Sequence, residues 1–361
     1  MFGFFWLIHN GTVSHMAEQA TALQLLDWYG RERRTLPWRS DNPDPYRVWL
    51  SEVLLQQTTV ATVKPRYQKF LERWPDVLAL AAASLDDVLH EWQGLGYYAR
   101  ARNLHACAQK VVGDHGGRFP DTEDGLITLP GIGDYTAAAI AAIAFGQDTA
   151  PVDGNIIRVI SRLDAMDDKM PAGKQRVKVR VSELAPPGRA GDFAQAMMDL
   201  GAGICTPKNP KCDRCPWVSE CRATKQDDPA LFPRKAAKKE RPTRYGVVFW
   251  LTDGDGRVHL RRRAEKGLLG GMMEFPSTDW LEAQEDDATV AGQAPLPTTV
   301  WHALDGEVAH TFTHFHLRLQ VWTGQTGESR NLDNGVWVHP SDLGSHALPT
   351  VMKKVVAVIP L

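Results

Sequence analysis

The chain has 361 residues, 43% of them apolar and 23% charged, with 41 lysines and arginines against 43 aspartates and glutamates for a formal charge of −2. That length suits two or three domains with ordinary cores. The balance excludes a largely disordered chain and a uniformly basic nucleic-acid coat, while leaving room for local basic faces.

In chain order, the opening MFGFFWLIHN is apolar but too short to cross a bilayer, and it lacks both a basic start and a small-residue cleavage site. Residues 1–15 therefore read as an extension, with Met16 as an alternative initiator. Residues 16–223 carry apolar positions at spacings of three and four between Pro and Gly breaks, the pattern of an all-α region. Residues 224–243, KQDDPALFPRKAAKKERPTR, hold charge and proline with little periodicity and read as a linker. Residues 244–361 are α+β. Strands are predicted over 245–251 and 257–263 around Asp253-Gly254-Asp255-Gly256, over 308–322 and over 336–339, with a short helix near 349–358.

Within the helical region, Arg34-Thr35-Leu36-Pro37-Trp38-Arg39 sets an aromatic between cations, a cluster able to line a base pocket or a phosphate track. Glu52 falls on the stripe Val48, Glu52, Leu55, Thr59, the apolar side of its helix. A carboxyl there loses water, its pKa rises, and it can donate a proton near neutrality; the structural alternative is an ion pair with Arg47 or Arg100. Gln56 ends the same helix. The turn Gly94-Leu95-Gly96-Tyr97-Tyr98 carries side chains able to wedge between base pairs, or simply to pack a core.

Residues 128–155 are the organising stretch. Leu129-Pro130-Gly131-Ile132-Gly133 leaves backbone N–H groups free to face an anion at the start of an alanine-rich helix. That helix stops before Pro151, so Asp153, Gly154 and Asn155 form a polar corner ahead of the next apolar helix. Downstream, Cys205-x6-Cys212-x2-Cys215-x5-Cys221 has one CxxC pair and unequal gaps. The spacing suits a 4Fe-4S cluster better than a zinc ribbon, which uses two CxxC hooks. Four clustered cysteines argue against a secreted disulfide framework and for a reducing interior. Lys208, Lys211, Arg214 and Arg222 make the loop basic, and Cys107 stands apart as a plain buried thiol.

Together LPGIGDYT, the VDGN corner, WLSEVLLQQTTV at 49–60 and the spaced cysteines resemble the helix-hairpin-helix DNA glycosylases with an iron-sulfur loop, and within them the MutY-type adenine DNA glycosylases. The resemblance covers nearly the whole chain. It implies a six-helix-barrel part over about 41–149 and an iron-sulfur part over 16–40 and 150–223. It implies a monofunctional enzyme of base excision repair that removes adenine mispaired with 8-oxoguanine or guanine in double-stranded DNA. Such an enzyme is expected to be monomeric, cytoplasmic and associated with the nucleoid.

Residue by residue, the resemblance makes Glu52 the acid that protonates adenine and Asp153 the carboxylate that stabilises an oxocarbenium-like sugar, with Tyr135 and Asn155 supporting the pocket. Tyr135 stands where endonuclease III-type relatives carry a Schiff-base lysine, so little strand cleavage is expected. The resemblance places wedges around the orphaned base at Gln56, Leu95 and Tyr97, while Arg39 and the turn glycines Gly131 and Gly133 are read from their pattern as DNA contacts. The last third is similar to a Nudix-like module that inspects 8-oxoguanine, through LLGGMMEFP at 268–276 and Phe312-Thr313-His314; threonine replaces the family's serine there, and the Nudix metal box is missing. From pattern alone, His310, His314 and His316 read as one face of a single strand. An endonuclease III-like enzyme for oxidised pyrimidines and a non-catalytic iron-sulfur DNA-binding protein remain as alternative readings.

Overall fold

The computed structural model describes residues 4–226, 228–236, 240–264, 267–327, 329, 332 and 335–360, with side chains from Glu18 onward. The chain forms two compact units, Met1–Ala82 with Ala106–Ala237 and Ala83–His105 with Lys238–Leu361.

The first unit is helical. Its opening helix runs over Phe4–Glu32, so the apolar extension and the start of the helical region share one helix. The helix Pro45–Leu55 starts at Asp44, whose side chain accepts from the Arg47 N–H at 2.8 Å, with Pro45 pre-set for the first turn. It buries Trp49, Leu50 and Leu54 against the helix Asp134–Phe145, in which every residue from Thr136 to Ala142 is buried. A second core joins Phe4–Glu32, Gly154–Leu163, Lys174–Leu184 and Ala190–Gly203 around Leu25, Ile156, Val177, Phe193 and Trp217. Each such side chain contributes about 1.5–3 kcal/mol by leaving water.

Two glycines let Ala190–Gly203 approach its neighbours. A Cβ at Gly191 would stand 2.5 Å from the Ala142 carbonyl oxygen, and one at Gly201 would stand 2.7 Å from the Asn155 Cβ.

The predicted linker is only half a linker. A short helix covers Arg222–Gln226, Phe232 is buried, and the Met170 N–H donates to the Arg234 carbonyl at 2.9 Å. Phe232 is the apolar anchor that ties this charged stretch down.

The second unit holds strands β1 (Thr243–Thr252), β2 (Val258–Arg262), β3 (Met273–Glu274), β4 (Trp301–Ala303), β5 (Val308–Thr311), β6 (His316–Gln325) and β7 (Val336–Val338). Their order is β3-β2-β1-β6-β4, with β5 also on β6 and β7 on β2. The long β1–β6 ladder is parallel and the other pairings are antiparallel. One face packs Phe275, Leu317, Leu319 and Val321 against Val351 and Met352 of the helix Thr350–Val356.

The single strand predicted over 308–322 is in fact two, folded back at Phe312–Phe315, where the Phe312 N–H donates to the Phe315 carbonyl at 2.9 Å. His310, His314 and His316 therefore do not share one strand face. The grouping of Ala83–His105 with this unit was not expected from the sequence. Within it the Arg262 guanidinium meets both Asp86 oxygens at 2.9 and 3.0 Å, and Arg102 donates to the Gly270 carbonyl.

Candidate active site

Glu52 lies on the inner face of Pro45–Leu55 and is 7% exposed. Its Oε2 accepts from the Tyr135 hydroxyl at 2.9 Å. Burial pushes the Glu52 carboxyl up to about 7; the Tyr135 hydrogen bond pulls it down, the Asp153 charge pushes it up, and Arg39 pulls it down. Tyr135 sits in the first turn of Asp134–Phe145 and also faces the Met198 sulfur at 3.9 Å. Burial first, then the charges of Glu52 and Asp153, hold its phenol well above the usual range, so it keeps its proton and acts as a donor. The three groups thus belong to one electrostatic cluster.

Asp153 caps the helix Gly154–Leu163. One oxygen accepts from the Ile156 N–H at 2.7 Å and the other from Asn155 Nδ2 at 2.8 Å. Asn155 is held in turn by Arg158, whose Nη2 donates to Asn155 Oδ1 at 2.8 Å and to the Gly201 carbonyl at 2.7 Å. Arg158 Nε reaches the Cys205 carbonyl at 2.7 Å, which completes a continuous polar chain from the Asp153 carboxylate to the cysteine loop.

Arg39 is not an open phosphate contact. Its side chain is 13% exposed and forms a two-pronged pair with Asp199 at 2.7 and 2.8 Å, while Arg34 Nε reaches the same carboxylate at 2.6 Å. Burial alone would push the Asp199 carboxyl up, but the hydrogen bonds and charge of Arg39, with Arg34 behind, hold it below its ordinary value. Beside Glu52 is a hollow of about 50 Å³ lined by Trp38, Leu55, Val60, Gln195 and Met198. Asp199, Gln195 and Met198 carry no motif and were missed in the sequence. The signal was available for Asp199, an acid on the apolar side of Ala190–Gly203, the same criterion that singles out Glu52.

Gln56 Nε2 donates to Thr136 Oγ1 at 3.3 Å. Gly131 and Gly133 are exposed, and Gly133 starts its helix without a side-chain cap, leaving the first N–H groups open. Leu95 is 6% exposed and packs inward, so the folded turn does not present it as a wedge; Tyr97 is presented, 50% exposed with φ +47°. The Tyr97 hydroxyl shares a hydrogen bond of 2.7 Å with Thr313 Oγ1. Phe312 is half-buried and stacks on Trp280 with centroids 5.8 Å apart, whereas Thr313 and His314 are exposed.

Cys205, Cys212, Cys215 and Cys221 are free thiols, and Cys212 and Cys215 each lie within electrostatic reach of the other loop cysteines Cys205 and Cys221. Arg162, 2% exposed, directs Nη1 to the Cys205 sulfur at 3.3 Å and to the Thr206 carbonyl at 2.7 Å, while the Cys221 thiol faces the Arg162 carbonyl at 3.3 Å. Among the described residues no three His, Cys, Asp or Glu converge as a single metal ion requires. Four cysteines with one CxxC pair and unequal gaps fit an iron-sulfur cluster rather than a two-hook zinc ribbon. Cys107 lies outside this set, fully buried, its thiol pushed up to about 12 by burial. No helix among the described residues is long and apolar enough to cross a membrane.

Residues 50–187 match the HhH-GPD superfamily of base excision DNA repair proteins, 205–221 the iron-sulfur binding domain of endonuclease III, and 247–358 the NUDIX domain. The adenine DNA glycosylase of Rattus norvegicus is 38% identical over 92% of this chain and 76% of its own, and that of Homo sapiens 37% over 92% and 72%. A thermostable thymine-DNA glycosylase structure superposes with a TM-score of 0.55 at 30% identity, covering 59% of this chain and 99% of that one. With a buried acid, a helix-capping aspartate, a hairpin ahead of an alanine helix and a four-cysteine loop, the chain belongs to the adenine DNA glycosylases, iron-sulfur helix-hairpin-helix enzymes of base excision repair.

Proposed function

We propose that the chain extrudes adenine mispaired with 8-oxoguanine or guanine from duplex DNA and hydrolyses its N-glycosidic bond, acting as a monomer in the cytoplasm. Glu52 delivers its proton to a ring nitrogen of the base. The C1′–N9 bond then breaks toward the neutralised purine, and Asp153 faces the positive charge left on the sugar until water adds. The observation that carries this reading is a buried Glu52 with its carboxyl pushed up, within electrostatic reach of a helix-capping Asp153. Glu52 is held up to about 7 by burial, so it retains a transferable proton near neutrality. Asp153 receives a backbone N–H and an amide N–H at a helix start, an arrangement suited to negative charge.

At about 50 Å³ the hollow beside Glu52 is well below the ~300–1,000 Å³ of ordinary ligand sites. Seating a purine therefore requires its lining to part, with Met198 the most adaptable member. Cys205, Cys212, Cys215 and Cys221 would hold the 4Fe-4S cluster, which when bound ties the basic loop into one piece. Phe312, Thr313 and His314 are the residues proposed to read the base opposite the adenine, with Tyr97 as the wedge; the Tyr97 bond to the Thr313 hydroxyl supports their acting together.

Glu52→Gln keeps the shape and removes the acid. Single-turnover excision from duplexes with adenine opposite 8-oxoguanine should fall by about a hundred- to thousand-fold, the usual loss for one preorganised group, while gel-shift affinity stays unchanged. Undiminished excision, or equal excision when cytosine faces an 8-oxoguanine in place of adenine, sinks the proposal.

A further inference from the structure

The hairpin that joins β5 to β6 has an exposed tip and an apolar root. Thr313 and His314 face solvent, while Phe312 is half-buried and Phe315 is buried. The Tyr97 hydroxyl meets Thr313 at the tip, and one backbone bond, Phe312 N–H to the Phe315 carbonyl at 2.9 Å, closes it. The direction of the tip therefore depends on how the two phenyl rings are seated. They pack on each other with centroids 4.9 Å apart, and both meet Trp280, which lies 5.8 Å from Phe312 with planes 25° apart and 6.3 Å from Phe315. Trp280 is held in its turn by β1. The Thr278 N–H donates to the Val247 carbonyl at 3.0 Å, and Tyr245 and Leu281 exchange N–H bonds at 2.7 and 3.0 Å. At Gly246 a Cβ would stand 2.7 Å from Trp280 Cδ1, so the bare glycine is what gives the indole its seat. Trp280 Nε1 is buried without a hydrogen-bond partner among the described residues, so the side chain contributes the area and flatness of its ring.

We propose that Trp280 is a positioning residue for mispair specificity, seated on Gly246 and holding Phe312 so that Thr313 and His314 meet the base opposite the adenine, an assignment that rests on residues 312–314 being the segment that inspects that base. Stacked rings hold a preferred offset and tilt, and close packing leaves a neighbouring ring few other rotamers. The Trp280 face thus fixes Phe312, and Phe312 is bonded in sequence to the two exposed residues. A displacement of about 1 Å in a positioned group is enough to cost a large factor in rate. Trp280 takes no part in bond cleavage, so its loss falls on discrimination between opposing bases.

Single-turnover excision of adenine opposite 8-oxoguanine and opposite guanine by the full chain tests this, each variant being assayed well below its own melting temperature. Trp280→Leu keeps apolar bulk and loses the flat face. It should lower the ratio of the two rates by about three- to tenfold, the scale of one lost aromatic pair, with excision opposite guanine retained. Trp280→Phe should restore most of the ratio. Gly246→Ala, whose methyl displaces the indole while leaving the hairpin sequence intact, should lower it as well. A ratio lowered by Thr313→Ala but untouched by Trp280→Leu and Gly246→Ala overturns the role of Trp280 alone, as does a Trp280→Phe no better than Trp280→Leu. A ratio untouched by Thr313→Ala overturns the reading of residues 312–314 and the role of Trp280 with it.

Discussion

Tyr135 does two things to Glu52 that separate on mutation. Its hydroxyl stabilises the ionised carboxylate, and its ring helps exclude the water whose absence favours the neutral acid. With Glu52 as the proposed acid and its carboxyl pushed up to about 7 by burial, excision should decline as pH climbs through that value and persist below it. Tyr135→Phe removes the bond that pulls the carboxyl down, so the alkaline limb of the rate profile should move to higher pH. A limb that moves to lower pH, or stays in place, would show that the hydroxyl does not set this acid. Glu52 was legible in the sequence because an acid on an apolar stripe is a local pattern, and Asp153 because a cap after a helix-ending proline is another. The pairing of Arg39 was not legible because its partner Asp199 is 160 residues away, and nothing local distinguishes an arginine facing solvent from one facing a distant acid.

Among the elements, the helix Ala190–Gly203 does the most and announced itself least. It supplies Asp199 to the two arginines, Met198 to Tyr135 and Gln195 to the hollow, and its two glycines set its distance from Asp134–Phe145 and Gly154–Leu163. Asp199→Ala would leave Arg39 buried and unpaired, at a cost of about 3–5 kcal/mol in denaturant melts. Gly201→Ala would place a methyl 2.7 Å from the Asn155 Cβ and 3.3 Å from Arg158 Nη2. The shift needed to relieve that contact displaces the Asp153 support, so single-turnover excision should drop about tenfold or more even where the melt is little changed. In the second unit, alternation revealed most strands, but the 308–322 run concealed a turn. Phe312 and Phe315 flank the reversal, and apolar residues at a turn look like a continuing strand when period is the only guide.

For the molecule as a whole, the division into a helical region and an α+β region was readable from the switch in apolar period. The placement of Ala83–His105 was not, since it rests on pairs such as Arg262 with Asp86, 176 residues apart. Truncation after Ala237 removes those partners along with Phe312, Thr313 and His314. The shortened chain should melt earlier and lose its preference for adenine opposite 8-oxoguanine over adenine opposite guanine, measured as the ratio of single-turnover rates. An unchanged ratio would place that discrimination in the first unit. The discontinuity also bears on how the protein is made. Ala83–His105 is synthesised well before Lys238–Leu361, so its Arg262 and Gly270 partners reach it only late in synthesis. The second unit is therefore completed only at the end of synthesis, after every residue of the first is present.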